Sequence, residues 1–143
     1  MRDQFYLHFE TMPKGTDQQK GVRIVKGKPY FYKKPNVEGA EYKFKAALNE
    51  HKPVRPCTRP VKLLVWFAFD TKNKKLWGQP KPTRPDTDNY LKLFKDCMTE
   101  CGYWLDDAQV VDEHVFKTYA EKATIGVSYE EVFNLEDLMR GET

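Results

Sequence analysis

The segment over residues 84–111, RPDTDNYLKLFKDCMTECGYWLDDAQVV, places two acidic pairs at the two ends of one helix-length stretch. Asp86 and Asp88 stand at its start, and Asp106 and Asp107 follow its end. Carboxylates that share a site repel one another and raise each other's pKa, so a chain that gathers four of them around one helix favours a bound cation. Oxygen ligands without a neighbouring His or Cys favour Mg2+, with Mn2+ as a substitute, over zinc.

The stretch between the acidic pairs predicts a helix over residues 87–101. Its core-facing stripe consists of Leu91, Phe94, Met98 and Cys101. On another face, Asp88, Lys92 and Asp96 follow one another at four-residue intervals. Gly102 is the expected residue just past the helix end. We expect the chain to turn back there and carry residues 106–107 toward the start of the helix.

This order of residues resembles the RusA-type Holliday-junction resolvase family. The motifs that carry the resemblance are Asp-x-Asp-Asn at 86–89, the lysine at 92 and GYWLDDAQVV at 102–111, and it is dense only over residues 81–117. It implies a small homodimer that introduces paired nicks into four-way DNA junctions in recombination and repair. It assigns catalytic roles to Asp86, Asp88, Lys92 and Asp107.

Metal held by these carboxylates would activate water, stabilise charge on the phosphorus and assist the departing oxygen. The predicted ligands are Asp86, Asp88 and Asp107, with Asp106 as a further ligand or a supporting residue. Lys92 would neutralise the scissile phosphate or steer a water. The alternatives are structural: a helix cap at Asp86, a helix-dipole contact at Asp88, a turn at the second pair and an ion pair for Lys92.

The formal net charge of +3 conceals a division along the chain. Residues 1–84 carry a net charge of +12 and residues 85–143 a net charge of −9. Such asymmetry favours a strongly charged partner, with the basic half tracking phosphates. The alternative is that both sets of charges only face solvent.

Two basic segments are candidates for DNA contact. The basic hairpin, residues 20–34, consists of predicted strands around Lys26, Gly27 and Lys28 with aromatic residues among the lysines. We expect Lys26 and Lys28 to contact DNA, with inward packing of the aromatic side chains as the alternative.

The basic arm, residues 70–85, contains three prolines and one glycine, which disfavour regular structure. A long irregular segment in a compact domain is often functional. Its predicted DNA contacts are Lys72, Lys74, Lys75, Lys81, Arg84 and Trp77, the last as a wedge against an open junction. Packing of Trp77 against the domain is the alternative.

The remaining patterns predict a single α+β domain over residues 1–143, with a mixed or antiparallel sheet and two main helices. Residues 61–69, VKLLVWFAF, form the most apolar run and are typical of a central strand. Further predicted elements are strands at 4–11, 109–120 and 123–131, with a hairpin around 121–122 as one arrangement, a helix at 36–51 and a short helix between Asn134 and Arg140.

The composition argues against several classes of protein. No run reaches the ~18 apolar residues of a membrane span, and the N-terminal residues lack the apolar core of a signal peptide. Cys57, Cys97 and Cys101 cannot all pair within one chain, so we expect reduced thiols in the cytoplasm. Two rival functions stay open: a non-catalytic branched-DNA-binding module, and a metal nuclease that acts on flaps or single strands.

Overall fold

The computed structural model describes residues 2–15, 20–33 and 35–139. Its strands are β1 (Arg2–Phe9), β2 (Lys20–Val25), β3 (Lys28–Lys33), β4 (Val61–Asp70), β5 (Val110–Ala120) and β6 (Ala123–Glu131). Its helices are α1 (Pro35–Leu48), α2 (Thr87–Cys101) and α3 (Leu135–Met139), with 3-10 turns at Lys74–Leu76 and Asp107–Gln109. Two predicted positions, Lys34 and Arg140, lie outside the described residues.

Four strands form one mixed sheet in the order β1-β6-β4-β5. Strand β4 runs parallel to β5, and β6 is antiparallel to both β1 and β4. The predicted central strand is confirmed, because β4 lies inside the sheet and mostly alternates buried and half-buried side chains. The α+β single-domain prediction is also confirmed, with two main helices packed on one face of the sheet.

An aromatic cluster attaches α2 to that face. The Phe67 ring on β4 meets the rings of Tyr90 and Phe94 on α2 with centroids 4.7 and 5.6 Å apart. Phe44 of α1 lies 5.2 Å from Phe94 in an edge-on arrangement. All four rings are buried, so the helix that carries the first acidic pair has a fixed position on the sheet.

The arrangement of the last two strands differs from a simple hairpin. β5 and β6 are separated by only two residues, yet β4 lies between them and pairs with both. Glu121 and Lys122 therefore cross over the end of β4, two inter-strand spacings of about 4.8 Å each. Sequence proximity favours pairing of neighbouring strands, but the apolar β4 gains more from a central position, where both of its edges are hydrogen-bonded.

The three cysteines are free thiols, and Cys57 and Cys97 are buried. Burial raises the pKa of the Cys97 thiol to about 12, which keeps it protonated. Within the described part of the chain, no helix is long and apolar enough to cross a membrane.

Candidate active site

The first acidic pair stands where α2 begins. Asp86 occupies the N-cap with extended backbone (φ −68°, ψ 141°), and its carbonyl accepts the Tyr90 N–H at 3.0 Å. Its side chain makes no capping hydrogen bond. Asp86 and Asp88 are both exposed. The cap alternative thus holds for the backbone of Asp86 but not for its carboxylate, which is left available to a ligand.

Lys92 connects this helix to the second acidic pair. Its Nζ lies 2.9 Å from Asp96 Oδ1, an i, i+4 ion pair of the kind given as the alternative for Lys92, and 3.4 Å from Asp107 Oδ2. The hydrogen bond to Asp96, reinforced by the charge of Asp107, raises the pKa of Lys92. Lys92 is therefore a cation at neutral pH, suited to electrostatic stabilisation and unsuited to the role of a base.

The two members of the second pair differ. Asp106 caps the short 3-10 turn, and its Oδ1 accepts the Ala108 N–H at 2.9 Å. Asp107 is half-buried and directs its carboxylate to Lys92. The turn alternative thus describes the side chain of Asp106, whereas Asp107 faces α2.

Gln109 holds this turn in place, a role that sequence reasoning missed. Its Oε1 accepts the N–H groups of Leu105 and Asp106 at 2.9 and 3.0 Å. Its Nε2 donates to the carbonyls of Cys57 and Arg59 at 2.9 and 3.1 Å. Both acceptor sites of the amide oxygen and both amide protons are thereby engaged, so Gln109 fixes the turn against the segment just before β4.

The predicted metal ligands do not form one cluster in the part of the chain that the structure describes. Across residues 2–15, 20–33 and 35–139, no group of three or more His, Cys, Asp or Glu side chains is close enough together to hold a metal ion. The exposed carboxylates of Asp86 and Asp88 have the right chemistry for Mg2+. The carboxylate of Asp107 is taken by Lys92 instead. The three carboxylates therefore suit Mg2+ by their chemistry. Their joint coordination of one ion stays a prediction.

The basic arm is docked on the sheet rather than extended from it. Its residues 78–81 run along the outer edge of β5, where Gly78 N–H donates to the Tyr119 carbonyl and Tyr119 N–H donates to the Gln79 carbonyl, both at 2.9 Å. A one-turn 3-10 helix interrupts the predicted irregular structure. The indole N–H of Trp77 donates to the Thr71 carbonyl at 2.8 Å, in agreement with the packing alternative. Lys72, Lys74 and Lys75 are exposed.

Two lysines point at the backbone just before Asp86. Lys81 Nζ donates to the Arg84 carbonyl at 2.8 Å. Lys117 Nζ, from β5, donates to the Pro85 carbonyl at 2.6 Å and to the carbonyl of Thr83. Burial and the charge of Lys81 lower the pKa of Lys117, against the opposing effect of Asp86. Sequence reasoning gave Lys81 a DNA contact, which stays a prediction, and gave Lys117 no role.

A groove of about 690 Å³ adjoins Asp86. The backbone of residues 11–15 forms one wall, tied down because the Tyr90 hydroxyl donates to the Pro13 carbonyl. Asp70 strengthens this wall by accepting the Met12 N–H at 2.9 Å. The basic residues that line the groove are Lys14, Lys81 and Arg84. A cationic groove thus leads to the first acidic pair.

The basic hairpin forms a separate two-stranded sheet. Lys26 and Gly27 both have positive φ (51° and 78°), which is the backbone of a tight two-residue hairpin turn. Ile24 is 74% and Tyr30 is 56% exposed. Tyr30 therefore does not follow the inward-packing alternative, and Lys26 and Lys28 project beside it in solvent.

Comparisons with known proteins identify the family of the chain. Residues 10–130 match the family model described as endodeoxyribonuclease RusA. A relative from Lactococcus phage r1t, a crossover junction endodeoxyribonuclease rusA, is 39% identical over 135 residues, which cover 92% of this chain and all of the relative. The chain therefore belongs to the RusA family of endodeoxyribonucleases, as the sequence resemblance predicted.

Two further relatives match shorter regions. The crossover junction endodeoxyribonuclease RusA of Escherichia coli K12 is 53% identical over 53 residues, 37% of this chain and 44% of that protein. An uncharacterized Bacillus subtilis protein, YqaN, is 40% identical over 75 residues, 52% of each chain. Family membership and the activity in the full-length relative's name together support assignment as an enzyme that cleaves DNA at crossover junctions.

Proposed function

We propose that this protein is a Mg2+-dependent endonuclease that resolves four-way DNA junctions by paired nicks in recombination and repair. Mn2+ would substitute for Mg2+. The observation that carries the proposal is the contact between Lys92 Nζ and Asp107 Oδ2. It brings the second acidic motif against the face of α2 on which Asp88 and Lys92 lie one turn apart. The full-length similarity to a crossover junction endodeoxyribonuclease supports the choice of substrate.

Asp86, Asp88 and Asp107 would hold the metal ion, which supplies Lewis-acid stabilisation and an activated water when bound. The free carboxylates at the start of α2 support this role for the first pair. Asp106 is better suited to positioning Asp107, because its Oδ1 is already bonded to the Ala108 N–H. Recruitment of Asp107 would release Lys92, whose ammonium then faces the scissile phosphate.

DNA would reach this centre across the basic half of the chain. The groove beside Asp86, with Lys14 and Arg84 in its lining, offers a cationic path for the strand that enters the site. The exposed lysines Lys72, Lys74 and Lys75 of the arm and Lys26 and Lys28 of the hairpin would add phosphate contacts. The stacking or wedging role of Trp77 requires release of its bond to Thr71.

Two coordinated nicks on a two-fold junction require two active sites, which an isologous homodimer supplies. On the face of the sheet opposite the helices, one row in register across all four strands consists of the aromatic side chains of Tyr6, Trp66 and Phe116 with Gly126 between the first two. Tyr6 and Phe116 are 49% and 44% exposed, and Trp66 stacks on Phe116 at 6.3 Å. This uncharged row is suited to a second copy of the chain rather than to phosphates.

Cleavage of a labelled four-way junction, a flap and a single strand, each with and without Mg2+, tests the proposal. We expect paired nicks in the junction alone and only with metal. Preference for the flap or the single strand would favour another kind of metal nuclease. Junction binding without cleavage in Mg2+ or Mn2+ would favour a binding module.

Sedimentation of Phe116→Asp beside the wild type tests the proposed dimer surface. A charge in a dry interface should dissociate the dimer.

A further inference from the structure

The backbone of residues 80–85, which leads into α2, has few hydrogen-bond donors of its own. Prolines at 80, 82 and 85 each lack an N–H group, so residues 80–85 have few amide donors to form a ladder with a neighbouring strand. Their carbonyl groups still need hydrogen-bond donors. After Lys81 N–H donates to the Lys117 carbonyl at 3.3 Å, the segment leaves the edge of β5 and turns toward Asp86.

Two ammonium groups supply the missing donors. Lys117 bonds the carbonyls of Thr83 and Pro85, and Lys81 bonds the carbonyl of Arg84 between them. Three consecutive carbonyl groups before Asp86 are thus held by cations, and charge-assisted hydrogen bonds are stronger than neutral ones.

Lys117 lies on β5, directly beside the residue of β4 on which α2 packs. Its partner in the β4–β5 register is Phe67, so both side chains lie on the helix-facing side of the sheet. Phe67 packs on Tyr90 in the first turns of α2, and Lys117 reaches the residues just before that helix. The sheet therefore fixes the helix and its entry segment from adjacent positions.

We propose that Lys117 and Lys81 form a carbonyl clamp that positions Asp86 for the metal ion. The clamp holds the residues before Asp86. The bond between the Asp86 carbonyl and the Tyr90 N–H holds Asp86 to the first turn of α2. Its carboxylate is then placed with no hydrogen bond that a cation would have to displace. Lys117 is in this view a positioning residue, which acts through the backbone and contacts neither metal nor phosphate.

The test compares Lys117→Met, which keeps the length of the side chain and removes its donors, with Lys117→Arg, which keeps donors. The first measurement is hydrogen exchange of residues 81–89 in metal-free protein. We expect exchange in that segment of Lys117→Met to rise about tenfold or more, while the segment around Gln109 is unchanged. Lys117→Arg should restore part of the protection, and Lys81→Met should give a smaller rise in the same segment.

The second measurement is single-turnover junction cleavage as a function of Mn2+ concentration, beside a binding titration in Ca2+. Lys117→Met should lower the rate at saturating DNA about tenfold and raise the Mn2+ concentration at half-maximal rate, with junction affinity unchanged. Lys122→Met, which removes a charge at the nearby β5–β6 connection, is the matched control and should behave as the wild type. Weaker binding with a flatter salt dependence and wild-type exchange would make Lys117 a phosphate contact and overturn the clamp.

The inference rests on the proposed function in one respect, the role of Asp86 as a ligand. If the wild type cuts no junction, the proposed function fails, and hydrogen exchange together with Mn2+ titration by calorimetry still decides the clamp. Wild-type exchange and wild-type Mn2+ affinity in Lys117→Met would overturn it in that case. If Lys117→Met does not fold, the Lys117→Arg and Lys81→Met variants decide by the same measurements.

Discussion

The two acidic motifs flank α2 in the sequence and are organised in opposite ways. At the first, the backbone around Asp86 is held on both sides while the carboxylate is left without a capping bond. At the second, the carboxylates themselves are bonded, Asp106 to the Ala108 N–H and Asp107 to Lys92. Under the proposed function, the first motif would receive a cation directly, whereas Asp107 of the second would have to exchange Lys92 for it.

The largest expected effect comes from removing either motif's charge. Asp86→Asn, Asp88→Asn and Asp107→Asn should each abolish cleavage while junction binding stays intact or tightens, because a ligand is lost and repulsion of DNA falls. Gel shifts beside cleavage assays measure both. Normal cleavage by Asp107→Asn would remove the second motif from the site. Asp106→Asn keeps an acceptor for Ala108, so its retention of cleavage would make that residue a cap, and its loss would make it a ligand.

Lys92 lies one turn after Asp88 and contacts Asp107. Lys92→Ala should have the next largest effect on cleavage. We expect cleavage to fall by a few orders of magnitude, about 3–4 kcal/mol, because the cation stabilises charge that grows in the transition state. Junction affinity in Ca2+ should change by less than about tenfold, or 1.4 kcal/mol. Single-turnover cleavage at saturating protein measures the first quantity.

The matched variant for Lys92 is Asp96→Asn, which removes the charge of its nearer ion-pair partner. Asp96→Asn should retain most of the wild-type cleavage rate. An equal loss in Asp96→Asn and Lys92→Ala would mean that only the ion pair matters. Lys92→Arg should not rescue fully, since a planar guanidinium does not replace a compact ammonium.

The basic arm leads into the first motif, while the hairpin is a separate sheet, so their lysines should differ in effect. Changing Lys72, Lys74 and Lys75 to Ala should weaken junction binding and lower the log–log salt slope by roughly 0.9 for each lost phosphate contact. Lys26→Ala with Lys28→Ala is the comparison pair. An unchanged slope in the arm variant would place those lysines in solvent and make the hairpin the main contact.

The smallest effect is on stability. Mg2+ should raise the melting temperature, because binding to the folded state at a hundredfold excess over Kd adds about 2.7 kcal/mol. The shift should vanish in the Asp86→Asn, Asp88→Asn double variant and only shrink in Asp107→Asn, if the first motif receives the ion. Calorimetric melts with and without Mg2+ measure it. An equal shift in the double variant would mean that the metal binds elsewhere.

The sequence predicted the elements of the fold well, because each of them is set by local pattern. Gly102 ends α2 with φ 91°, and the stripe of Leu91, Phe94 and Met98 is buried as the spacing predicted. The position of β4 between β5 and β6 was not predictable from residues 121–122, which read as a tight turn. Strand order depends on which edges gain most from pairing, and that is a property of the whole sheet.

The site was predicted by residue type, and its contacts were not. The i, i+4 spacing allowed an ion pair for Lys92 without distinguishing Asp88 from Asp96 as its partner, whereas the bond to Asp107 depends on how the chain turns after α2. Lys117 lies 31 residues from Asp86 and looks like any lysine on an edge strand. Only the register of β5 beside β4 places it under the entry to the helix.

Strand β6 is the last strand in the sequence but lies inside the sheet, so the sheet cannot be completed until β6 has been synthesised. It lies between β1 and β4, so that Arg2 pairs with Glu130 and the first strand has no other neighbour in the sheet. During synthesis, β1 and β4 must wait for nearly the whole chain before either gains this partner, and such distant pairing slows folding. Helix α2 is synthesised after β1 and β4 but before β5 and β6, which complete the sheet that supports it. A chain truncated before Ala123 should therefore lack the strand with which β1 and β4 pair.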